Sequence, residues 1–236
     1  MTPTTTLRRS TDHARCTVLS RHFRGQLCEQ LASGPGRSVL AGDLIYSMGQ
    51  LAESVYLVRH GLVKTSLVSP GGQELTLRLY PPGDIFGELC LCTGERREQA
   101  AALEASEVVE IPLTALLRRL RQDPQAALEF ASSVCQHLSD AHEGLRSLSF
   151  DPVTERLARA LLDLADRLGE TGAQGKRIAH HITQEELAHM IGARREVVSG
   201  LLNRLRTDGL ISYTRRGLIE VDRAALRAHI DSIAET

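Results

Sequence analysis

Residues 182–211 have the sequence ITQEELAHMIGARREVVSGLLNRLRTDGLI, and this stretch decides the fold of the C-terminal part of the chain. Thr183 and Glu186 have the spacing of a capping box, which marks the start of a helix. That helix ends at Gly192, and a second helix begins near Arg195 with apolar residues at the i, i+3, i+4, i+7 spacing: Val198, Leu201, Leu202 and Leu205. Two short helices joined by a glycine-containing turn predict a helix-turn-helix.

A basic β-hairpin, or wing, is predicted directly after the second helix. The apolar segments GLISYT and LIEVD flank the triplet RRG at residues 215–217. Residues 194–216 contain six arginines against two acidic residues, although the formal net charge of the whole chain is −1. Arginine binds phosphate and donates two hydrogen bonds to guanine, and glutamate accepts one from cytosine. The second helix and the wing therefore predict a surface for double-stranded DNA; the alternative is an arginine-rich face that meets only solvent.

The candidate DNA-binding residues lie at the starts of the two helices, along the polar face of the second helix and at the tip of the wing. They are Thr183, Gln184, Arg194, Arg195, Glu196, Ser199, Gly200, Asn203, Arg215 and Arg216. Side chains of these types bond to phosphates, which position a protein on DNA, and to base edges, which specify the sequence.

Residues 36 to 112 predict β structure. Short apolar runs recur between turn signals such as PGG at 70–72 and PPGD at 81–84. Leu75, Leu77 and Leu79 alternate with polar residues, which is the period-two pattern of a half-buried strand. Several short strands at such spacing are typical of a β-sandwich or jelly roll.

A long helix is predicted from about residue 124 to 149, after the break at Asp123-Pro124. Six of its residues are spaced alternately by three and four: Leu128, Ala131, Cys135, Leu138, His142 and Leu145. This is an a/d seam of about two and a half heptads, which predicts a homodimer. The alternative is a helix that packs only against its own domain.

The composition is that of a soluble globular protein, with 42% apolar and 24% charged residues among 236. No apolar run approaches the roughly 20 residues needed to cross a bilayer, and the N-terminus lacks the apolar core of a secretory signal. The five cysteines are odd in number and scattered, which argues against a disulfide framework. We therefore expect a cytoplasmic protein with no membrane partner.

Three stretches resemble the CRP/FNR family of transcription regulators: PPGDIFGEL with the following RREQAAALEASEVVEIP, ERLARALLDLA, and the opening stretch. The resemblance extends over about residues 36 to 230. It implies an α+β fold with an N-terminal cyclic-nucleotide-binding-like jelly roll, a long dimerisation helix and a C-terminal winged helix-turn-helix. It also implies a homodimer that binds inverted repeats whose half-sites lie about one helical turn apart, and RNA polymerase is an expected partner.

Four segments follow from the pattern and the resemblance together. Residues 1–20 are expected to be a flexible tail, residues 21–122 an effector-sensing jelly roll, residues 123–150 the dimerisation helix and residues 151–236 the DNA-binding domain.

The resemblance assigns roles within the second helix of the helix-turn-helix. Arg195 and Glu196 match the base-contacting Arg-Glu pair of the family, and Ser199 lies where some members use a serine. Gly200 departs from the family, whose members commonly have arginine there. Arg194 replaces the usual serine N-cap, and we expect it to bind phosphate instead.

The segment FGELCLCTGERR at 86–97 resembles the phosphate-binding cassette of the family. Phe86, Gly87, Glu88 and Leu89 match it. Aligned without gaps, Arg97 takes the place of the phosphate-binding arginine, and Glu98 takes the place of a small or hydroxyl residue, where its charge would repel a phosphate. The alternative is a structural turn in which Glu88 and Arg97 form an ion pair.

The pair of hydroxyl residues that meets adenine in cAMP-responsive members would fall near Ala141-His142, and neither residue carries a hydroxyl. cAMP is therefore a candidate effector but not the favoured one, and the effector is unknown. His142 is a candidate sensor residue, with a haem-ligand or pH-sensing role as one alternative.

An iron–sulfur cluster is not expected, because Cys16 and Cys28 are unaccompanied and the further cluster cysteine of that subgroup would fall near Val109. Cys90 and Cys92 would face one side of a strand, which hints at redox or metal chemistry, although buried cysteines are also common as small core residues. No metal site is predicted.

Taken together, the sequence predicts a sequence-specific DNA-binding transcription regulator, controlled by an unidentified signal at the jelly roll or constitutively active. The alternative is a cyclic-nucleotide- or redox-responsive module that regulates a partner protein, which would need neither a helix-turn-helix nor a wing. No catalytic motif such as G-x-S-x-G, a Walker loop or HExxH occurs, so no enzyme and no catalytic residues are predicted.

Overall fold

The computed structural model describes residue 31, residues 33–173 and residues 175–234, so that the predicted tail at 1–20, Cys16 and Cys28 lie outside the described residues. Eight strands form two antiparallel four-stranded sheets, ordered β1-β8-β3-β6 and β2-β7-β4-β5. The strands are β1 (Gly36–Val39), β2 (Leu44–Tyr46), β3 (Ser54–His60), β4 (Val63–Val68), β5 (Glu74–Tyr80), β6 (Ile85–Phe86), β7 (Gln99–Ala102) and β8 (Ser106–Pro112).

The β5 strand buries only part of the leucine face that its alternation predicts, since Leu79 is buried and Leu77 is not. Leu77 is 47% exposed, whereas Thr76 is buried. The pairing of β4 with β5 shifts between Thr65, opposite Arg78, and Ser66, opposite Thr76. Leu77 is thus an extra residue in a β-bulge, which reverses the inward and outward positions on either side of it.

A short helix, α1 (Cys90–Thr93), lies where the sequence predicted a strand for the two cysteines. Cys90 is buried and Cys92 is exposed. Residues two apart on a helix point about 200° apart, because each residue turns the helix by about 100°. The prediction that both thiols face one side is therefore wrong.

Three helices follow the β domain: α2 (Leu113–Gln122), α3 (Pro124–Phe150) and α4 (Val153–Leu168). Asp123 caps α3 by accepting hydrogen bonds from the backbone N–H groups of Gln125 and Ala126, and Pro124 occupies the first turn, where it costs no hydrogen bond. The extended residues Asp151 and Pro152 separate α3 from α4.

The C-terminal part has the four-stranded sheet order β11-β12-β10-β9 with helices packed against it. Its elements are β9 (Gly169–Thr171), β10 (Lys176–Ile178), α5 (Gln184–Ile191), α6 (Arg195–Thr207), β11 (Ile211–Tyr213), β12 (Ile219–Val221) and α7 (Arg223–Ala234). The antiparallel pair β9–β10 lies in a Gly-containing segment for which the sequence predicts no strand. Among the described helices, none is long and apolar enough to span a membrane.

The core of the C-terminal part extends into the β domain. Leu161, Leu187 and Leu202 are almost completely buried within it. Leu62 and Leu79, from the β4 and β5 region, belong to the same buried cluster. The two parts of the chain therefore share one continuous apolar core.

Candidate nucleic-acid interface and sensor core

The first helix of the helix-turn-helix, α5, is held at both ends by local chemistry. The Thr183 hydroxyl accepts a hydrogen bond from the Glu186 backbone N–H at 3.1 Å, which is one half of the predicted capping box. The other half is missing, because the Glu186 carboxylate bonds to the Lys64 ammonium. Gly192 ends the helix in the left-handed region, at φ 58°, where glycine is favoured over residues with a Cβ.

The second helix, α6, buries one face and exposes the other. Val198, Leu202 and Leu205 are buried against the core. The polar face contains the exposed Arg195, Glu196 and Asn203 together with the half-buried Ser199. Gly200 is exposed, and no heavy atom lies within 4 Å of the place where its Cβ would be. Arg194, at the N-cap position, makes no side-chain cap and is exposed.

The wing is the predicted hairpin of β11 and β12. Backbone hydrogen bonds of 2.9 Å between Thr214 and Leu218 and between Gly217 and Thr214 close its turn. Arg215 and Arg216 lie exposed at the tip. They line a surface groove of about 380 Å³ together with Arg177 and Glu170, which pair with each other at 3.0 Å.

All ten candidate DNA-binding residues are exposed or half-buried. Arg194, Arg195, Arg215 and Arg216 form no ion pair with a carboxylate anywhere in the described part of the chain. Arg204 and Arg206, which are not among the ten candidates, are also exposed. They too form no ion pair with a carboxylate of the described residues. Uncompensated arginines on α6 and on the adjoining wing suit a polyanion such as the DNA backbone.

The interior of the β domain holds a stack of aromatic rings around a buried arginine. Phe86 stacks on Tyr46 and Tyr56, with ring centroids 6.2 and 5.4 Å apart. The Arg96 guanidinium lies 4.1 Å from the centroid of the Tyr46 ring. It donates hydrogen bonds to the backbone oxygens of Gly87, at 2.9 Å, and Ser54, at 2.6 Å. The Arg96 guanidinium thus already has hydrogen-bond acceptors within the protein.

The sequence assigned the wrong arginine to this interior. Arg97 is exposed, whereas Arg96 and Glu98 on either side of it are buried. Neighbouring residues of an extended segment point to opposite faces, so an alignment shifted by one residue selects the outward side chain. The Glu88–Arg97 ion pair, which the sequence offers as the alternative to a phosphate-binding cassette, is therefore absent, and Glu88 lies instead 2.9 Å from the His137 imidazole of α3.

Two further candidate sensor residues lie away from this interior. Leu89 is 45% exposed. His142 is exposed on α3, whereas His137 is the histidine that meets the β domain, with its ring edge on Tyr80 at 5.9 Å. Of the sequence-based candidates, Phe86, Gly87, Glu88 and Glu98 come together. Arg96, Tyr46 and His137 were missed, since only three-dimensional packing distinguishes them from their neighbours.

Glu98 is the most perturbed carboxylate of this interior. Its Oε1 accepts a hydrogen bond from the Tyr46 hydroxyl at 3.2 Å. Burial, and then the charge of Glu88, raise the pKa of Glu98 to about 7. Burial likewise raises the pKa of Tyr46 far above its ordinary value, so its hydroxyl stays a donor. The interior therefore contains a carboxyl group that exchanges its proton near neutral pH.

Two protein families match successive parts of the chain. Residues 36–123 match the cyclic nucleotide-binding domain, and residues 155–229 match the Crp-like helix-turn-helix domain. The chain is 35% identical over 190 residues to the cyclic AMP receptor protein of Thermus thermophilus. The matched region covers 80% of this chain and 84% of that protein. The chain is also 32% identical over 190 residues to the anaerobic regulatory protein of Bacillus subtilis, and that matched region covers 79% of this chain and 80% of that protein.

Solved structures have the same fold. FixK2 from Bradyrhizobium japonicum superimposes with a TM-score of 0.74 at 25% identity, covering 82% of this chain and 96% of that one. A CRP family transcriptional regulator from Thermus thermophilus superimposes with a TM-score of 0.69 at 29% identity, covering 83% and 96%.

Proposed function

Because the chain belongs to the CRP/FNR family of transcription regulators, we propose that it binds an inverted-repeat operator as a homodimer, with α6 of each protomer in a major groove. The observation that carries the proposal is the set of exposed, unpaired arginines on α6 and on the wing. These are the two elements that a winged helix-turn-helix offers to DNA. Relatives of the chain are transcription regulators, and no catalytic activity is proposed.

The candidate residues divide into those that select bases and those that bind the backbone. Arg195 donates to O6 and N7 of guanine, and Glu196 accepts from N4 of cytosine. Ser199 and Asn203 lie further along the same polar face and contact base edges or nearby phosphates. The phosphate-binding set contains Thr183 and Gln184 at the start of α5, together with Arg194, Arg215 and Arg216.

The dimer contact is assigned to α3. The six seam residues Leu128, Ala131, Cys135, Leu138, His142 and Leu145 are all exposed in the single chain. On the opposite side of the helix, Ala126 belongs to a buried cluster of the β domain, and His137 lies against Glu88. A narrow apolar stripe that its own protomer leaves uncovered supports pairing with the same stripe of a second copy.

We propose that operator binding does not depend on cAMP, although the family of residues 36–123 and the name of the Thermus thermophilus relative suggest this ligand. The cyclic phosphate does not fit the residues present. Arg96 already bonds to Gly87 and Ser54, and the buried Glu98 lies two residues further along the same segment. A carboxylate that has lost its proton repels a phosphate in this low-dielectric interior.

The cAMP proposal is tested by titrating the purified protein against a selected operator with and without saturating cAMP. Equal affinities are expected in the two titrations. A large increase in affinity with cAMP would contradict the proposal.

We also propose RNA polymerase as the partner through which the DNA-bound dimer changes transcription. The support is membership of the family alone. Transcription in vitro from a promoter that carries the selected operator is expected to change when the protein is added, and unchanged transcription would contradict this partner.

The test of the DNA interface is a pair of arginine variants compared on the selected operator. Arg195→Ala removes a bidentate base contact, so operator affinity is expected to fall by about 1–3 kcal/mol, while affinity for unrelated DNA changes little. Arg121→Ala, at the exposed end of α2, removes the same charge away from the interface and serves as the control. Equal operator affinity for Arg195→Ala and wild type would contradict the assignment.

A further inference from the structure

Lys64 is a buried ammonium in β4 whose main partner belongs to the helix-turn-helix. Only 6% of the residue is exposed. Its Nζ lies 2.8 and 3.1 Å from the two carboxylate oxygens of Glu186, in α5, and 2.9 Å from Oε1 of Glu74, in β5. A single lysine thus connects the β domain to the DNA-binding domain through charge-assisted hydrogen bonds, which are stronger than neutral ones.

Glu186 gives up a local hydrogen bond to make this contact. It stands at the position of a capping box from which glutamate ordinarily bonds back to the backbone N–H of the N-cap residue, here Thr183. Burial works against the charge on Lys64, but hydrogen bonds to Glu186 and Glu74 outweigh it and leave the pKa of Lys64 above its ordinary value. The ammonium is therefore charged throughout the physiological range.

Other contacts join the same two domains. The His189 ring of α5 lies 3.5 Å from Glu74, and His180 lies 3.0 Å from Glu104 in the loop between β7 and β8. Arg167 of α4 donates a hydrogen bond to the backbone oxygen of Leu79 at 2.7 Å. The DNA-binding domain is thus docked on the β4–β5 side of the β domain over a continuous surface.

Docking leaves the DNA-binding face open. Arg194, Arg195 and Glu196 at the start of α6 are exposed, and so are Arg215 and Arg216 of the wing. The contact through Lys64 therefore fixes the orientation of α5, and of α6 packed beside it, without covering any candidate base-contacting residue.

We propose that Lys64 is a positioning residue for DNA recognition, which acts through Glu186 to hold the helix-turn-helix at the orientation that an operator requires. The inference rests on the proposed function. Without the contact, the domain gains freedom about the joint at Asp151 and Pro152, and two protomers must lose that freedom to occupy two half-sites at once. Non-specific binding has no fixed geometry to satisfy, so it does not depend on Lys64.

The experiment compares Lys64→Met, Lys176→Met and an exchange of charges in which Lys64→Glu and Glu186→Lys are combined with Glu74→Gln, because Glu74 would otherwise repel the new carboxylate at position 64. Methionine keeps an unbranched stem without the charge, and Lys176 is the only other lysine in the chain. We expect Lys64→Met to bind the selected operator about tenfold more weakly with unchanged affinity for unrelated DNA, and the exchange to recover wild-type affinity within about twofold. Lys176→Met is expected to lose little affinity, and equally little for the operator and for unrelated DNA.

Three outcomes would overturn the proposal: wild-type operator affinity in Lys64→Met, tighter binding in Lys64→Met, or an exchanged variant that stays as weak as Lys64→Met. Hydrogen exchange without DNA tests the contact separately. We expect the α5 amides of Lys64→Met to exchange their hydrogens faster than those of wild type, and the charge-swapped variant to return to the wild-type rate. Hydrogen exchange in Lys64→Met at the wild-type rate would also overturn the proposal. Failure of the proposed function is distinct, because the wild-type protein would then bind no DNA sequence selectively.

Discussion

At the scale of single residues, Gly200 is the most informative position of α6. The helix leaves open space beyond it, so a long side chain fits without displacing a neighbour. Because the position lies on the exposed face of α6 between Ser199 and Asn203, we expect Gly200→Arg to add one base contact and to sharpen one position per half-site by about 1–3 kcal/mol. Selection of binding sites from random duplexes measures this, and identical motifs for the variant and wild type would contradict it.

Arg194 tests the division between phosphate and base contacts. Its exposed side chain makes no cap for α6, which leaves the guanidinium available to DNA. Arg194→Ala is expected to weaken binding by a similar factor on every operator variant and to reduce the salt slope by about one. Affinities measured across a salt series check both, and a loss confined to one base position would contradict the phosphate role.

Glu98 predicts how stability depends on pH. Because its pKa rises from 4.5 to about 7 in the folded protein, the folded state holds a proton between these values that the unfolded state has released. Its contribution to stability is complete below pH 4.5 and is lost as the pH rises through about 7. Glu98→Gln, which keeps an acceptor for Tyr46, is expected to remove this decline, on the order of 3 kcal/mol.

Urea unfolding at a series of pH values measures the effect of Glu98. Glu95→Gln, three residues earlier and exposed, is the matched control and is expected to keep the wild-type pH dependence. A Glu98→Gln protein whose unfolding free energy falls as steeply as that of wild type would contradict the burial of an exchangeable proton.

At the scale of elements, α3 carries the prediction of a dimer. Leu138 is 56% exposed at the centre of the seam, and Leu128 and Leu145 are exposed to similar extents on either side. Leu138→Arg places an unpaired charge in the seam, which is expected to destabilise the dimer by about 3–5 kcal/mol. Sedimentation equilibrium measures the change, with Gln136→Arg off the seam as the control. Equal dimerisation of Leu138→Arg and wild type would contradict the seam.

The elements with strong local signals were predictable from the sequence. The long helix, α5, α6 and the wing all have periodicity, capping residues or turn residues that act over a few positions. The bulge at Leu77 and the short helix at Cys90–Thr93 have no such signal, because the pairing partner and the packing of a neighbouring strand decide them. The β9–β10 hairpin was missed because its strands are only three residues long.

The candidate site was predictable to the extent that it is local in sequence. The DNA-binding set lies within 34 residues of chain, on helices whose faces follow from their period. The interior of the β domain instead depends on which of two adjacent arginines points inward, and Arg96 rather than Arg97 does so. His137 was likewise beyond the pattern, because only the packing of α3 on the β domain brings it to Glu88.

At the scale of the whole molecule, the two domains of one protomer are packed together rather than connected by a linker alone. Leu62 and Leu79 extend the core of the C-terminal domain, and Lys64 bonds to Glu186 over a separation of 122 residues. No local pattern reveals such a contact. A change in the β4–β5 region therefore has a direct route to the helix-turn-helix.

We propose that two copies of this chain bind one inverted repeat through α6 and the wing. The most direct test is selection of duplexes by the purified wild-type protein, followed by the measured mass of the complex with the selected duplex. We expect an inverted repeat with half-site centres about 10–10.5 base pairs apart and two protomers per duplex. Selection of no sequence, or of a single half-site bound by one protomer, would contradict it.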